Sequence, residues 1–434
     1  MKRVELGSVD VPPRTTATMG RFCPATGIAA TPDGSVYVLV SDRAESVQVF
    51  RIEGETAEAV QRIPSNGREP VLLASDGALD CAFLYGGLRA PLLADIWRIG
   101  NTDAKPHREL RRARGPRFLS CGGSFPWSWG NDYLPTAIAP MNGNGYLIVG
   151  WIDEIKLSKG SWLGEHGVYQ KYFAVEWEQG EFGPYKRLDG RGRFSAHLRH
   201  LVPAGDGLTT YSLFVRRMQA NKATGKDILF LGRHTAGQGW AKDEVVHART
   251  RSRDSRISSS ALGCTGESVC ALWTVSHEGV YSARRDSGGW TDPEPVLSGP
   301  DEPVLATCGM APDGACHVLV LRKDSLFLMS RVNGRWESLR LVDREDTPTP
   351  NRPDMAVDSK GRVHVAYLAD CTGDTATAVY ECYEVGPAGR APSGRPGAGA
   401  PKRLPGPPAL YPACHLQVAP PHPRAQIGAK GTHD

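Results

Sequence analysis

The chain has 434 residues, of which 40% are hydrophobic and 23% are charged, and its formal net charge is +4. This composition is typical of a globular protein and excludes a chain that is disordered throughout. Residues 386–434 hold six of the 51 Lys and Arg and one of the 47 Asp and Glu, so the rest is close to neutral, which argues against a dedicated nucleic-acid surface.

The first element in chain order is a single strand, KRVELGSVDV, at residues 2–11. The N-terminal region has a basic start but lacks the apolar core of a signal peptide, and no later run approaches the ~20 apolar residues of a membrane span. We therefore expect a cytoplasmic protein with reduced thiols and no membrane partner. Its ten cysteines include no CxxC pair and no zinc-ligand spacing, so we predict buried apolar roles for them and no metal or cofactor.

Seven hairpins follow the first strand. Each has two runs of alternating apolar residues around a turn rich in Gly, Asp and Asn, which favour the positive φ angles of tight hairpins. The seven segments are residues 27–42, 70–87, 136–153, 199–217, 259–276, 304–322 and 355–368.

A second motif follows most of the hairpins. It consists of a strand, a short turn, often Gly-x-Trp, and another strand, as in HTAGQGWAKDEVV (234–246), ARRDSGGWTDPEPVL (283–297) and RVNGRWESLRLV (331–342). Each unit therefore reads as four antiparallel strands, recurring every ~40–65 residues as in propeller blades. Because Trp240, Trp290 and Trp336 occupy one position of the unit, we interpret them as packing between blades rather than as ligand-stacking residues.

The last unit lacks a fourth strand, because the chain after residue 385 becomes rich in Pro and Gly. The strand at residues 2–11 can supply the missing outer strand and remove an open sheet edge. We predict an all-β, seven-bladed β-propeller over residues 1–385, with four-stranded antiparallel blades and the N-terminal strand closing the last one. Residues 386–434 are predicted to be a disordered tail.

Charged residues gather immediately before the hairpins, where each first strand would leave the mouth of the central channel. The predicted ligand-binding residues are Arg21, Arg68, Arg256, Arg352 and Asp354, and the predicted catalytic residues are Glu69, Asp132, Tyr133, His197 and Glu302. One interpretation is a polar pocket for an anionic or hydroxylated ligand, in which Arg binds carboxylates and acids bind hydroxyls or transfer protons. The other is an ion network that joins the blades at the rim.

Roles within this set follow from side-chain chemistry. Glu69 and Glu302 each precede a proline and form a candidate acid–base pair, the equipment of glycoside hydrolysis. Tyr133 is either a nucleophile or a packed aromatic. His197 is a candidate general base. It does not share a metal with His200, because residues three apart on a strand point to opposite faces.

Two of the repeats, GMAPDGACHVLVLRKDSLFLMSRVNGRW (309–336) and DMAVDSKGRVHVAYLAD (354–370), resemble the propeller repeats of the sialidase-like (BNR-repeat) superfamily. The superfamily's Asp-box, Ser-x-Asp-x-Gly-x-x-Trp, is degenerate here, its nearest match being SARRDSGGW (282–290). Arg62-Ile63-Pro64 has the letters of the superfamily's Arg-Ile-Pro motif, although a full hairpin precedes it. The resemblance implies a propeller related to sialidases, polysaccharide lyases and lectins.

We therefore predict a propeller enzyme acting on a carbohydrate or small anionic substrate at one channel mouth, like a glycoside hydrolase or a lyase. The alternative is a non-catalytic propeller that binds glycans or proteins. The mouth residues differ from blade to blade, which favours a single central site over one site per blade. We expect a small-molecule or glycan ligand and no nucleic acid, and take a monomer as the default for an oligomeric state that the sequence leaves open.

Overall fold

A computed structural model describes seven antiparallel sheets arranged as the blades of a propeller. It describes residues 2–10, 25–41, 46–65, 70–75, 78–84, 92–101, 105–111, 132–141, 145–156, 167–183, 186–187, 200–204, 208–219, 225–251, 255–300, 303–322, 325–332, 334–342, 353–372 and 375–384. Within these ranges the chain forms strands and turns, and no helix is long and apolar enough to cross a membrane. The predicted tail lies outside these ranges, and the predicted cytoplasmic location stays a prediction.

The chain begins with β1 (Lys2–Asp10), which belongs to the last blade. The first blade contains β2 (Ala25–Ala30), β3 (Val36–Ser41), β4 (Ser46–Glu53) and β5 (Thr56–Pro64). The second contains β6 (Pro70–Ser75), β7 (Ala78–Leu84), β8 (Leu92–Arg98) and β9 (Arg108–Arg111). The third contains β10 (Asp132–Met141), β11 (Gly145–Lys156), β12 (Gly167–Glu178), β13 (Glu181–Phe182) and β14 (Lys186–Arg187).

The fourth blade contains β15 (His200–Pro203), β16 (Thr209–Gln219), β17 (Gly225–Thr235), β18 (Gly239–Trp240) and β19 (Glu244–Arg251). The fifth contains β20 (Ile257–Thr265), β21 (Ser268–Val275), β22 (Gly279–Asp286), β23 (Gly289–Trp290) and β24 (Glu294–Ser298). The sixth contains β25 (Val304–Met310), β26 (Cys316–Arg322), β27 (Ser325–Val332) and β28 (Arg335–Val342). The seventh contains β29 (Asp354–Val357), β30 (Arg362–Thr372) and β31 (Thr375–Glu384), with β1 as its fourth strand.

The predicted seven-bladed propeller and its closure by the N-terminal strand are confirmed. The first strand of every blade lies beside the first strands of the two neighbouring blades, which closes an inner ring in the order β2, β6, β10, β15, β20, β25 and β29. β1 pairs with β31 from Lys2 opposite Cys382 to Asp10 opposite Thr375. The first and last strands of the propeller therefore pair within one sheet, and β1 covers the edge that β31 would otherwise expose.

The hydrophobic core is divided into seven clusters, one at each junction between neighbouring blades. This follows from the alternation of the strands, since each sheet directs one set of apolar side chains to the blade before it and the other to the blade after it. Trp240, Trp290 and Trp336 contact the clusters of the third and fourth, fourth and fifth, and fifth and sixth blades. The prediction that these residues pack between blades is confirmed.

Two faces of the ring can be distinguished from the path of the chain. On the connector face lie the segments that join one blade to the next, together with the turns between second and third strands. On the opposite, hairpin face lie the turns between first and second strands and between third and fourth strands. A four-stranded meander that enters on one side places its turns in this way.

Three hairpins are longer than the others on the connector face. β11 and β12 have 12 residues each, β16 and β17 have 11, and β30 and β31 have 11 and 10, whereas β21 and β22 have eight. Four extra residues lengthen a strand by about 13 Å. The third and fourth blades on one side and the seventh on the other therefore carry the raised hairpins of the connector face.

The sequence contains two runs rich in arginine, at residues 108–117 and 249–256, a pattern that predicts solvated loops. This prediction is wrong at Arg108–Arg111, which forms β9, and at the end of β19. The guanidinium of Arg108 lies over the rings of Tyr146 and Trp177, 5.8 and 5.4 Å from their centroids. Arg249, near the end of β19, forms an ion pair with the carboxylate of Glu278 on the connector face.

Candidate functional site

Most of the predicted mouth residues lie outside the described ranges. These are Arg21, Arg68, Glu69, His197, Glu302 and Arg352. Asp132 and Tyr133 are the first two residues of β10, where the structure describes the backbone. The side chains of Arg256 and Asp354 are described in full. The predicted pairing of Glu69 with Glu302 therefore stays a prediction.

Charge is rare on the seven first strands that form the inner ring. Among Asp, Glu, Lys and Arg, these strands contain Asp132, at the start of β10, and Asp354, at the start of β29. Both belong to the predicted site, and both begin the strand on its connector-face end. The third and seventh blades lie on opposite sides of a seven-membered ring. Acidic residues thus begin the inner strands of two blades, and the other first strands contain none of these four residue types.

Asp354 joins three blades at the inner ring. Its Oδ2 accepts a hydrogen bond of 3.0 Å from the backbone N–H of Ile28 in the first blade, and its Oδ1 accepts one of 2.8 Å from Met355. The hydroxyl of Thr307, in the sixth blade, also interacts with the carboxyl group. Gly27 of the first blade is also a neighbour, since a Cβ there would be in ordinary contact with Oδ2 at 3.9 Å.

Burial dominates the electrostatics of this carboxyl. It raises the pKa of Asp354 to about 6, and the hydrogen bonds from Ile28, Met355 and Thr307 oppose the shift only in part. The side chain remains half-buried rather than sealed. A carboxyl group with a pKa near 6 exchanges protons close to neutral pH, which is the property required of a general acid or base.

The same hydrogen bonds also hold the ring together. The first strand of each blade is a sheet edge whose backbone N–H groups need partners. Side chains of neighbouring strands provide these partners. The carboxylate of Asp354 accepts a hydrogen bond from the N–H of Ile28. The hydroxyl of Ser259 accepts one from the N–H of Leu305 at 3.2 Å, and the carboxylate of Asp227 accepts one from the N–H of Ile257 at 2.9 Å. Asp354 thus has the contacts expected for the rim network, together with the pKa expected for a proton-transfer group.

A second cluster of the connector face was missed by the sequence analysis. Glu278, in the turn between β21 and β22, receives both arms of the Arg249 guanidinium, with Nη2–Oε1 at 2.7 Å and Nη1–Oε2 at 3.2 Å. The hydroxyl of Ser255, in the connector before β20, donates to Oε1 at 2.6 Å and also contacts Arg249. These hydrogen bonds lower the pKa of Glu278. The sequence contains no signal for this cluster, because its members are 23 and 29 residues apart.

Arg256 lies next to this cluster, as the connector turns into β20. Its side chain is exposed, and its backbone oxygen accepts a hydrogen bond of 2.9 Å from the N–H of Ser276. Within the described part of the chain its guanidinium makes no ion pair. It therefore adds an accessible positive charge to the connector face at the fifth blade.

A different polar set repeats near the hairpin face. At three successive junctions the residue opposite the tryptophan of the second motif, a histidine or an arginine, meets a glutamate of the preceding blade. The sets are Glu176, His234 and Trp240; Glu244, Arg285 and Trp290; and Glu294, Arg331 and Trp336. The distances from the histidine or arginine nitrogen to the carboxylate oxygen are 2.6, 2.7 and 2.7 Å. The three tryptophans are half-buried, so an aromatic surface remains partly accessible beside each polar pair.

Other polar groups are buried within the fold. Asp358 contacts His364 at 3.2 Å, and the Nδ1 atom of His364 lies 2.8 Å from the hydroxyl of Tyr380. The sulfurs of Cys308 and Cys316 are 3.6 Å apart in the core between the fifth and sixth blades. Within the described ranges, no three His, Cys, Asp or Glu residues are arranged to hold a metal ion. The cysteines described are buried or half-buried, as the sequence predicted.

The tripeptide that matches the superfamily's Arg-Ile-Pro motif lies away from the inner ring. Arg62, Ile63 and Pro64 end β5, the outer strand of the first blade, and Nε of Arg62 donates to the hydroxyl of Ser46 at 2.9 Å. Ile63 is fully buried in the junction with the second blade. The tripeptide therefore forms part of the outer sheet and of a blade junction.

Neither a protein-family model nor a curated protein matches the chain. Solved structures do match it. The polysaccharide lyase Uly1 is 10% identical over 89% of this chain and 99% of its own, with a TM-score of 0.54. YCF48 from Cyanidioschyzon merolae (13% identical, 86% and 98% covered, TM-score 0.43) and a fucose-specific lectin from Aleuria aurantia (11% identical, 76% and 99% covered, TM-score 0.38) are also similar. At these identities the likeness shows the fold alone.

Proposed function

We propose that the protein acts on a carbohydrate or a small anionic ligand at the connector-face mouth of its central channel. The observation that carries this proposal is Asp354, a carboxyl group of the inner ring whose pKa is raised to about 6. Residues that exchange protons near neutral pH and are held on a rigid scaffold are the usual equipment of general acid–base catalysis. A carbohydrate ligand is also compatible with the similarity of the fold to that of a protein named a polysaccharide lyase.

The shape of the connector face supports a single site between its raised hairpins. Those of the third and fourth blades lie on one side, that of the seventh lies on the other, and Asp132 begins the inner strand of the third blade. Asp354 begins an inner strand on the other side. Binding sites on rigid scaffolds are usually concave and few in number. In this proposal Asp354 transfers a proton, and the predicted arginines of the mouth orient the ligand.

The test replaces Asp354 with Asn and measures binding and turnover of a panel of acidic and neutral oligosaccharides. The matched control is Asp33→Asn, because Asp33 makes its hydrogen bonds within its own exposed turn on the hairpin face. We expect Asp354→Asn to reduce turnover at least tenfold while the melting temperature stays within a few degrees. Full activity of a properly folded Asp354→Asn variant would rule out the proton-transfer role.

A second candidate function is non-catalytic binding of glycans at the blade junctions. The observation that favours it is the repeated set of a tryptophan, a histidine or arginine, and a glutamate near the hairpin face. Aromatic rings with hydrogen-bonding charged groups at their edge offer both an apolar surface and polar partners to a hydroxylated ring. The two candidates differ in stoichiometry. Calorimetry should give one ligand per chain for the channel mouth and about three for the junctions, with the bound sugar recovered unchanged in the second case.

A further inference from the structure

The carboxylate of Glu278 is bound in the way in which a protein binds a carboxylate ligand. Arg249 meets it with two parallel N–H groups, and the hydroxyl of Ser255 adds a third donor. The fork of a guanidinium matches the two oxygens of a carboxylate, which makes this geometry specific as well as strong. The hydroxyl of Tyr281 also helps to lower the pKa of Glu278. Arg249 and Ser255 therefore form a preformed carboxylate cradle.

The cradle and its occupant belong to different parts of the scaffold. Arg249 is on the last strand of the fourth blade and Ser255 is in the connector, whereas Glu278 is in a turn of the fifth blade. The side chain of Glu278 is 39% exposed and that of Arg249 is 19% exposed. An exposed turn residue can leave such a site at little cost, because solvent screens a partly exposed ion pair. The donors would then face solvent on the connector face.

We propose that Arg249 and Ser255 bind the carboxylate of an acidic sugar on the connector face, and that Glu278 occupies this cradle when the ligand is absent. Exchange of one carboxylate for another conserves the charge and the hydrogen bonds of the cradle. The exposed guanidinium of Arg256, next to Ser255 in the connector, provides a further cation for an anionic ligand. This inference rests on the proposed function only in taking the ligand to be a sugar.

The carboxylate of Glu278 affects how tightly the cradle binds the carboxylate of an external ligand. A group tethered by a short segment acts at an effective concentration in the millimolar range. Glu278 therefore raises the apparent dissociation constant of every external carboxylate by the same factor, and its removal should tighten binding by that factor.

The experiment compares the wild-type protein with Glu278→Ala by calorimetry, with D-glucuronate as the probe and D-glucose as the neutral control. We expect Glu278→Ala to bind D-glucuronate about two- to sixfold more tightly than the wild type, because a partly exposed ion pair competes only weakly, and neither protein to bind D-glucose. Arg249→Gln in the Glu278→Ala background should abolish the gain, because the forked donor is lost. The matched control is Glu267→Ala, which removes an equal charge from an exposed turn of the same blade.

The proposal is overturned if folded Glu278→Ala binds D-glucuronate no better than the wild type, or if Glu267→Ala produces the same gain. Melting temperatures establish that each variant is folded. If Glu278→Ala does not fold, Glu278→Gln replaces it, since a neutral amide leaves the guanidinium without its counter-charge and should also tighten binding. Asp354→Asn in the Glu278→Ala background separates the two sites. Retained binding with lost turnover assigns the cradle to binding and Asp354 to chemistry.

Discussion

Glu294 of the fifth blade and Arg331 of the sixth are joined by two nearly parallel hydrogen bonds, with Nε–Oε1 at 2.7 Å and Nη2–Oε2 at 3.2 Å. The indole N–H of Trp336 reaches the same Oε1 atom at 3.3 Å. The pair lowers the pKa of Glu294 even though burial alone would raise it. One junction earlier, Glu244 and Arg285 repeat the arrangement, with distances of 2.7 and 3.0 Å. The propeller therefore repeats its polar contacts between blades as well as its apolar ones.

A double-mutant cycle on this pair should measure a coupling of roughly 1 kcal/mol. Both side chains are partly exposed, 21% for Arg331 and 31% for Glu294, so solvent screens the pair but does not abolish it. The cycle compares Glu294→Gln, Arg331→Gln and the double variant by urea unfolding. As a control, the same cycle on Arg51 and Glu53, whose side chains are 43% and 55% exposed, should give a coupling near zero. Equal couplings for the two pairs would contradict the expectation.

The pH dependence of stability should report on Asp354. Its pKa is about 6 in the folded protein, above the ordinary value of 3.8, so the folded state binds its proton more tightly than the unfolded state. The resulting stabilisation is present below pH 4 and is lost as the pH rises through about 6. Relative to Asp354→Asn, the wild type should therefore lose roughly 1–3 kcal/mol between pH 4 and pH 7. Parallel pH profiles for the two proteins would show that this carboxyl group does not titrate as described.

The N-terminal strand should be required for the stability of the whole ring. Val4 and Val9 of β1 are 8% and 3% exposed and pack in the junction between the seventh and first blades. We expect Val9→Ala to lower the free energy of unfolding by about 1–3 kcal/mol through the cavity that it leaves. Glu5→Ala, on an exposed position of the same strand, is the control and should have little effect. Deletion of residues 2–10 should cause aggregation, because it exposes the edge of β31.

Close approach of neighbouring inner strands should make Gly309 intolerant of a side chain. A Cβ at this position would lie 2.8 Å from the Cγ2 atom of Val357 on the next blade, and such a contact requires one of the strands to shift. We expect Gly309→Ala to destabilise the protein by about 1–3 kcal/mol in urea unfolding. Val357→Ala in the same chain should restore part of this loss, because it removes the clashing methyl group. No recovery in the double variant would place the strain elsewhere.

The local features of the fold could be predicted because each leaves a local signal. The turn Asp358-Ser359-Lys360-Gly361 and its relatives identify the hairpins, and Gly-x-Trp identifies the turn before each outer strand. The closing strand could be predicted by counting, because one blade lacked a strand and one strand lacked a blade. The basic run at Arg108 was misread as a loop because its pairing with β8 is a tertiary contact that charge alone does not indicate.

The candidate site was accessible to sequence analysis only in part. Asp354 was found because it precedes a hairpin, which is a position defined along the chain. The raised pKa of Asp354 could not be predicted from the sequence, because it depends on the burial of the carboxyl group between Gly27 and Thr307 on two other blades. The cradle of Arg249, Ser255 and Glu278 left no pattern, because a connector and a turn meet there only after the blade has folded.

The repeating unit, the number of blades and the identity of the strand that closes the ring can be read from the sequence. The unit follows from alternation and turn chemistry, which act between residues near one another in the chain, and the closing strand follows from counting the strands. Only the tertiary structure decided which charged groups face one another. Glu278 meets Arg249, and Asp354 meets Ile28, across junctions that separate them by 29 and 326 residues. Electrostatic interactions depend on distance in space and on burial, and neither quantity is written in the order of the residues.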